Sequence, residues 1–297
     1  DKVIGTNGFY AMKAHWNEHP DRDEAWAQAE KARIGEERFR REHECEFLIF
    51  DETLISSLTL ADMEGVPPVE TTGQVRWFKR PTPGMTYMVS LDPSMGTGGD
   101  FAAIQVFELP TFEQVGEWHH NTTPMNQQVR ILQGITKHIH EAIMERDATA
   151  TPQIFYSMEN NTIGEAALLR VMDIGEENIM GMFLSEPIRK GHRRKFRRGF
   201  NTTAKHKIDA CTKFKELVEN DKMKINSTLL ISEMKDFVAS GMSFKAKPGQ
   251  HDDLVSSCLL MTRMMKVLAD FDPKIFEKWT DRTSQITPMP IFGSFTG

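Results

Sequence analysis

Three consecutive strand-like runs, then a long amphipathic helical stretch and alternating strand and helix patterns, constrain this chain more than any other feature. Met85 to Asp92 and Phe101 to Leu109 read as strands joined by the glycine-rich turn Met95-Gly96-Thr97-Gly98-Gly99, and Gln114 to His120 makes a third. Three antiparallel strands are therefore expected first. Pro124 to Arg146 follows as a helix with Val129, Leu132, Ile135, Ile139 and Ile143 on one face. Gln153 to Met158 is a fourth strand, Ile163 to Met172 a helix, and Ile179 to Leu184 a short strand. Thr202 is expected to cap a helix carrying Ile208, Cys211, Phe214 and Leu217. Met223 to Ile225, a helix near Leu229 to Val238, and Gly241 to Lys245 lead to a last helix. There Leu254, Cys258, Met261, Met265 and Leu268 recur at spacings of four and three.

The order β-β-β-α-β-α-β-α, with acids after the first and fourth strands and at the start of the last helix, is that of the ribonuclease H-like fold. The expected class is α/β, a mixed central sheet flanked by helices, with residues 85–270 forming that domain. Residues 1–50 hold two aromatic-anchored helical patterns, with Asp21 as a cap and acids in the following turn, and read as a small helical N-terminal remnant. Val66-Pro67-Pro68 and Arg80-Pro81-Thr82-Pro83-Gly84 make residues 51–84 a linker. Residues 271–297, with several prolines and glycines, read as a flexible C-terminal tail.

Composition narrows the function classes. Hydrophobic and charged fractions of 39% and 26% are those of a soluble globular protein. No apolar run approaches the roughly 18 residues that span a bilayer, so no membrane partner is expected. Cys45, Cys211 and Cys258 are scattered and never in C-x-x-C spacing, which fits buried thiols in a reducing compartment. The net charge of −6 argues against a coat of nucleic acid but leaves room for a local basic groove. The chain opens at Asp1, inside what reads as a structured segment, and is expected to be a piece of a longer protein.

The acids stand in three motifs: Leu91-Asp92-Pro93-Ser94, Met158-Glu159-Asn160-Asn161 and His251-Asp252-Asp253-Leu254. If the first and fourth strands are parallel neighbours, Asp92 and Glu159 end side by side, and the last helix can bring Asp252 against them. Clustered carboxylates repel and raise each other's pKa, a cost that hard divalent cations reverse. Two Mg²⁺ or Mn²⁺ ions about 3.5–4 Å apart suit hydrolysis of a phosphodiester. Each acid alone has a plainer use: a turn at Asp92, a solvated strand end at Glu159, a helix cap at Asp252 or Asp253. Asp100, after the glycine turn, is a secondary candidate for orienting a metal-bound water; His251 could assist one but reads first as a structural histidine. The glycine turn leads to a strand, and G-x-x-x-x-G-K-[ST] is absent, so it is no phosphate loop.

Arg189-Lys190-Gly191-His192-Arg193-Arg194-Lys195-Phe196-Arg197-Arg198 is the second signal. Arg193, Arg194, Lys195, Arg197 and Arg198, extended by Lys205 and Lys207, suit a DNA backbone with little base readout; the alternative is a solvated loop.

Taken together, Leu91-Asp92-Pro93-Ser94 with its glycine turn and Asp100, Met158-Glu159-Asn160, and Gly249-Gln250-His251-Asp252-Asp253-Leu254 resemble the nuclease domain of the large terminase subunit of tailed bacteriophages, nearest its T4-like branch. His15-Trp16-Asn17-Glu18-His19-Pro20, with Trp26, Ile34-Gly35 and Glu42-His43-Glu44-Cys45-Glu46-Phe47, resembles the end of that family's ATPase domain. The resemblance implies an enzyme that cuts concatemeric double-stranded viral DNA in the host cytoplasm during packaging, working at the portal and prohead with a small terminase subunit. It implies Asp92, Glu159 and Asp252 as the catalytic metal-binding triad with Asp253 close by. Asp92 would bridge two ions, and Glu159 and Asp252 would each complete one site. Without a Walker A lysine motif this chain is not expected to hydrolyse ATP. The competing expectations are a junction resolvase or transposase of the same fold, and a DNA- or portal-binding module whose acids are structural.

Overall fold

The computed structural model describes residues 3–4, 10–11, 15–44, 52–187 and 198–271. The strands are β1 (Val3–Ile4), β2 (Tyr10–Ala11), β3 (Glu70–Thr72), β4 (Val75–Trp77), β5 (Thr86–Asp92), β6 (Ala102–Leu109), β7 (Glu113–His120), β8 (Gln153–Met158), β9 (Met182–Phe183), β10 (Phe237–Ser240) and β11 (Ser243–Ala246). The helices are α1 (Glu24–Ile34), α2 (Glu36–His43), α3 (Ser57–Asp62), α4 (Met125–Arg146), α5 (Thr162–Ile174), α6 (Ala204–Glu219), α7 (Thr228–Asp236) and α8 (Asp253–Phe271).

Among the described residues the main sheet has seven strands in the order β3-β4-β7-β6-β5-β8-β9. β5, β6 and β7 are antiparallel, as their short turns require, while β8 returns parallel to β5 after the α4 crossover. Strand β5 sits at the centre and is buried up to Asp92. Its side chains alternate between two cores. Tyr87, Val89 and Leu91 pack with Val129, Leu132 and Ile135 of α4. Met88 belongs to the other core, with Leu254, Val255, Cys258 and Met261 of α8 and Phe214 of α6. Ser90 and Asp92, two and four residues on, share that second face. The result is a three-layer α/β arrangement of the ribonuclease H-like type.

Residues 51–84, expected as a linker, carry α3 and the β3–β4 pair. β4 hydrogen-bonds to β7 and so extends the main sheet, while Leu54 and Ile55 lie in the α8-side core. The prolines fall between these elements rather than within them, and Gly73 makes the β3–β4 turn at φ 61°. Three local boundaries also move. Asp23, not Asp21, caps α1 by accepting the Trp26 N–H at 2.8 Å. Thr203, not Thr202, caps α6 through the His206 N–H at 3.2 Å. Helix α7 stops at Asp236, because Phe237 and Val238 pair with Ala246 and Lys245 as a strand.

The N-terminal helices gather Trp16, Trp26 and Phe39, with ring centroids 6.0 Å apart for each pair. Arg40 reaches Asp62 of α3 at 2.7 Å. Cys211 and Cys258 are free and buried, and burial pushes the Cys211 thiol up to about 11. No described helix is long and apolar enough to cross a membrane. Residues 272–297 lie outside the described residues.

Candidate metal centre

The register of β5 against β8 brings the first two acids together. Leu91 is the parallel partner of Met158, so Asp92 and Glu159 leave the sheet at the same level on adjacent strands. The Glu159 N–H donates to the Leu91 carbonyl at 3.2 Å. Glu159 is further fixed by its successors. Asn160, buried, donates its side-chain amide to the Arg198 carbonyl at 2.6 Å, and its backbone N–H to Phe200 at 2.7 Å. Asn161 caps α5 by accepting the Gly164 N–H at 2.7 Å. A Cβ on Gly164 would fall 1.8 Å from the Glu159 carbonyl oxygen, so only glycine lets α5 start directly under this acid.

The third motif arrives on α8. The Ser90 and Ser257 hydroxyls lie 2.8 Å apart, and each is within donating distance of the other's carbonyl, at 2.9 and 3.2 Å. This double contact joins α8 to β5 two residues before Asp92. Asp252 flanks the helix, its carbonyl accepting the Ser256 N–H at 2.7 Å. The Asp252 side chain does not cap the helix. It accepts the Ala246 N–H at 3.3 Å and lies 4.0 Å from the Lys207 ammonium. The free N–H groups of Leu254 and Val255 instead donate to one oxygen of Glu233, at 2.8 and 3.1 Å. Asp253 accepts the Phe101 N–H and stands 3.7 Å from the His251 ring.

The electrostatics are those of crowded acids. Burial pushes the Asp92 carboxyl well above the carboxylate range; the charges of Glu159 and Asp253 raise it further, with a hydrogen bond to Glu159 and a smaller effect from Asp252. Burial, then the Asp252 charge, lifts Asp253 to about 6, against the pull of the Phe101 N–H. Burial lifts Glu233 to about 8, although the Val255 and Leu254 N–H groups pull it back. His119, stacked on Phe101 at 4.1 Å and 3.6 Å from Glu233, is held down at about 4 by burial first and by Arg76 next. Of the two adjacent aspartates, Asp253 acts more strongly on Asp92.

The donor set is one of hard carboxylate oxygens, which suits Mg²⁺ or Mn²⁺. As the side chains lie, Asp252 and Asp253 are each turned toward a backbone N–H, and among the described residues no three such groups converge to hold one ion. Asp92 with Glu159 forms one pair, and Asp252 and Asp253 flank it. The elevation of the Asp92 and Asp253 carboxyls is the mark of a site that a cation would stabilise.

Beside Glu159 lies a cavity of about 120 Å³ whose wall includes His206, Lys207, Ser256, Leu260 and Arg263. Arg263 is committed to the wall: it pairs with Glu186, donates to Asn201 and Thr202 at 3.0 Å, and stacks 5.2 Å over Phe200. Of the expected DNA contacts, Arg193, Arg194, Lys195 and Arg197 lie outside the described residues. Arg198 is paired with Glu176, and Lys205 is exposed on the first turn of α6. Asp100 is exposed, close enough to raise Asp253 by its charge. Sequence reasoning missed Glu233 and Arg263. Glu233 was marked only by being an acid flanked by the buried Ile231 and Met234 in a short apolar helix.

Residues 89–264 match the model of the Terminase RNaseH-like domain. The structure is similar to a crystal structure of the large terminase nuclease from thermophilic phage G20c with bound magnesium. Its TM-score is 0.53 at 16% identity, over 72% of this chain and 97% of that one. The cobalt-bound form of the same nuclease gives 0.52 at 16%, over 72% and 97%. At these identities the likeness is one of fold.

Proposed function

This chain belongs to the Terminase RNaseH-like domain family, and from that premise we propose that it is a divalent-metal-dependent endonuclease cutting double-stranded viral DNA during genome packaging. The observation that carries the reading is that Glu159 at the end of β8 and Asp253 and Asp252 at the start of α8 all lie close enough to Asp92 of β5 for their charges to raise its carboxyl. A relative of the same fold has been crystallised with magnesium, which favours the same class of ion here.

Asp92, with Glu159 and Asp252, would hold two Mg²⁺ or Mn²⁺ ions, and Asp253 is kept beside them by the Phe101 N–H. When bound, such ions supply the positive charge that a scissile phosphate develops against and make water a nucleophile near neutral pH. Lys207 and His206, at the cavity next to Glu159, hold the flanking backbone phosphate, and Leu260 offers an apolar wall to its sugar. Arg193, Arg194, Lys195, Arg197, Arg198 and Lys205 extend this contact along the duplex. Such contacts position the duplex without reading bases, so cutting is of low sequence specificity. Residues 1–50 are the end of the ATPase domain. Portal, prohead and small terminase subunit are its partners in the host cytoplasm.

The test is nicking of supercoiled plasmid in Mg²⁺ or Mn²⁺. Cleavage should stop with a chelator and with Asp92→Asn, and linear duplex should be cut as readily as a four-way junction. Undiminished cleavage by Asp92→Asn sinks the assignment of the site. A strong preference for the junction points to a resolvase, and retention of DNA without cleavage in either metal points to a binding module.

A further inference from the structure

We propose that Glu233 is a positioning residue for the metal centre: by capping α8 from α7 it releases the Asp252 carboxylate from the helix end and leaves it available to a cation. The inference rests on the metal-centre reading above.

An aspartate flanking a helix ordinarily turns its side chain back onto the second and third N–H groups of that helix. Asp252 occupies that position, with Leu254 and Val255 as the second and third residues of α8. Both of their N–H groups are already taken by Glu233, at 2.8 and 3.1 Å. Asp252 therefore points the other way, to the Ala246 N–H and toward Lys207. Glu233 reaches the helix from a separate element, its side chain only 10% exposed and wedged beside His119. One buried carboxyl thus does the capping, and the acid next to the reacting centre does not have to.

If Glu233 is shortened, the two N–H groups lose their acceptor, and the nearest replacement is the Asp252 side chain. A cation must then compete with the cap for Asp252. From the usual strength of an N-cap, the expected loss is about fivefold to tenfold in Mn²⁺ affinity.

The experiment measures Mn²⁺ binding to the full chain from the loss of the free-Mn²⁺ electron paramagnetic resonance signal, alongside the half-saturating Mn²⁺ concentration for plasmid nicking. Glu233→Ala and Glu233→Asp, whose carboxylate is one carbon too short for both bonds, should bind Mn²⁺ about fivefold to tenfold more weakly. Glu233→Gln keeps an acceptor oxygen and should restore binding. In an Asp252→Ala background, Glu233→Ala should change Mn²⁺ affinity no further, since the two residues act through one competition. Unchanged Mn²⁺ affinity in Glu233→Asp, a loss in Glu233→Gln equal to that in Glu233→Ala, or additive losses with Asp252→Ala each overturn the proposal. Should Glu233→Ala not fold, the Asp and Gln variants decide it alone. Wild-type chain that binds no Mn²⁺ overturns the metal-centre reading instead, and with it this one.

Discussion

Ser90 of β5 and Ser257 of α8 face each other in the core with their hydroxyls 2.8 Å apart, and this contact sets where the last helix meets the strand that ends in Asp92. Ser257 follows Asp253 by about one helical turn, so a slide of α8 along β5 would carry both aspartates with it. Two buried hydroxyls that satisfy each other resist such a slide, because separating them leaves polar groups unpaired in an apolar layer.

Ser257→Ala should therefore cost about 1 kcal/mol, since Ser90 keeps the Ser257 carbonyl as acceptor. Ser257→Val should cost about 1–3 kcal/mol more, because a branched apolar side chain overfills a close contact and pushes the Ser90 hydroxyl off the Ser257 carbonyl. Urea unfolding followed by circular dichroism measures both. Wild-type stability in both variants would show that the helix is held by the apolar contacts alone.

The metal-free chain should lose stability as pH rises through neutrality. Glu233 is lifted by burial from 4.5 to about 8 in the folded chain, so between those values the folded state binds the extra proton. Stability then falls with rising pH across that window and is flat above it. Asp253, lifted from 3.8 to about 6, acts in the same direction at lower pH. His119, held down from 6.5 to about 4, acts in the opposite direction there, because its neutral folded form is favoured as pH rises. The unopposed decline therefore lies between about pH 6.5 and 8. Melting temperatures in a chelator, scanned by fluorimetry, should fall over that interval, and Glu233→Gln should flatten the fall. A melting temperature that rises through neutrality would contradict the electrostatics described for the α8 start.

Lys207 is expected to contact a DNA phosphate from the wall of the cavity beside Glu159. In an Asp92→Asn background that blocks cutting, Lys207→Gln should weaken duplex binding and reduce the slope of log affinity against log salt by about one. Fluorescence anisotropy at several salt concentrations measures this. An unchanged slope would assign Lys207 to Asp252 alone.

Much of this arrangement is legible in the residues. The β5–β6–β7 strands and α4 announce themselves by alternation and by a helical stripe, because those patterns follow from local geometry and from burial of one face. Asp92 and Glu159 stand where β5 and β8 end, and their motifs are visible without coordinates. Segment 51–84 was harder: β3 and β4 are three residues each, too short for a periodic signal, and they are strands because β7 offers them an edge. Phe237 and Val238 were ambiguous for the same reason, their apolar character suiting either the end of α7 or the start of β10.

By itself, then, the sequence determined the order of elements from β5 to α6, the fold class they imply, and three acidic motifs at element ends, since each depends on side-chain periodicity and turn chemistry within a few residues. Only the tertiary structure decided that β8 lies parallel beside β5 in the register that aligns Asp92 with Glu159. It alone placed Ser257 on Ser90, and Glu233, rather than Asp252, on the free N–H groups of α8. Those relationships join residues far apart in the chain, and their geometry is set by how packed layers fit. No local pattern encodes that.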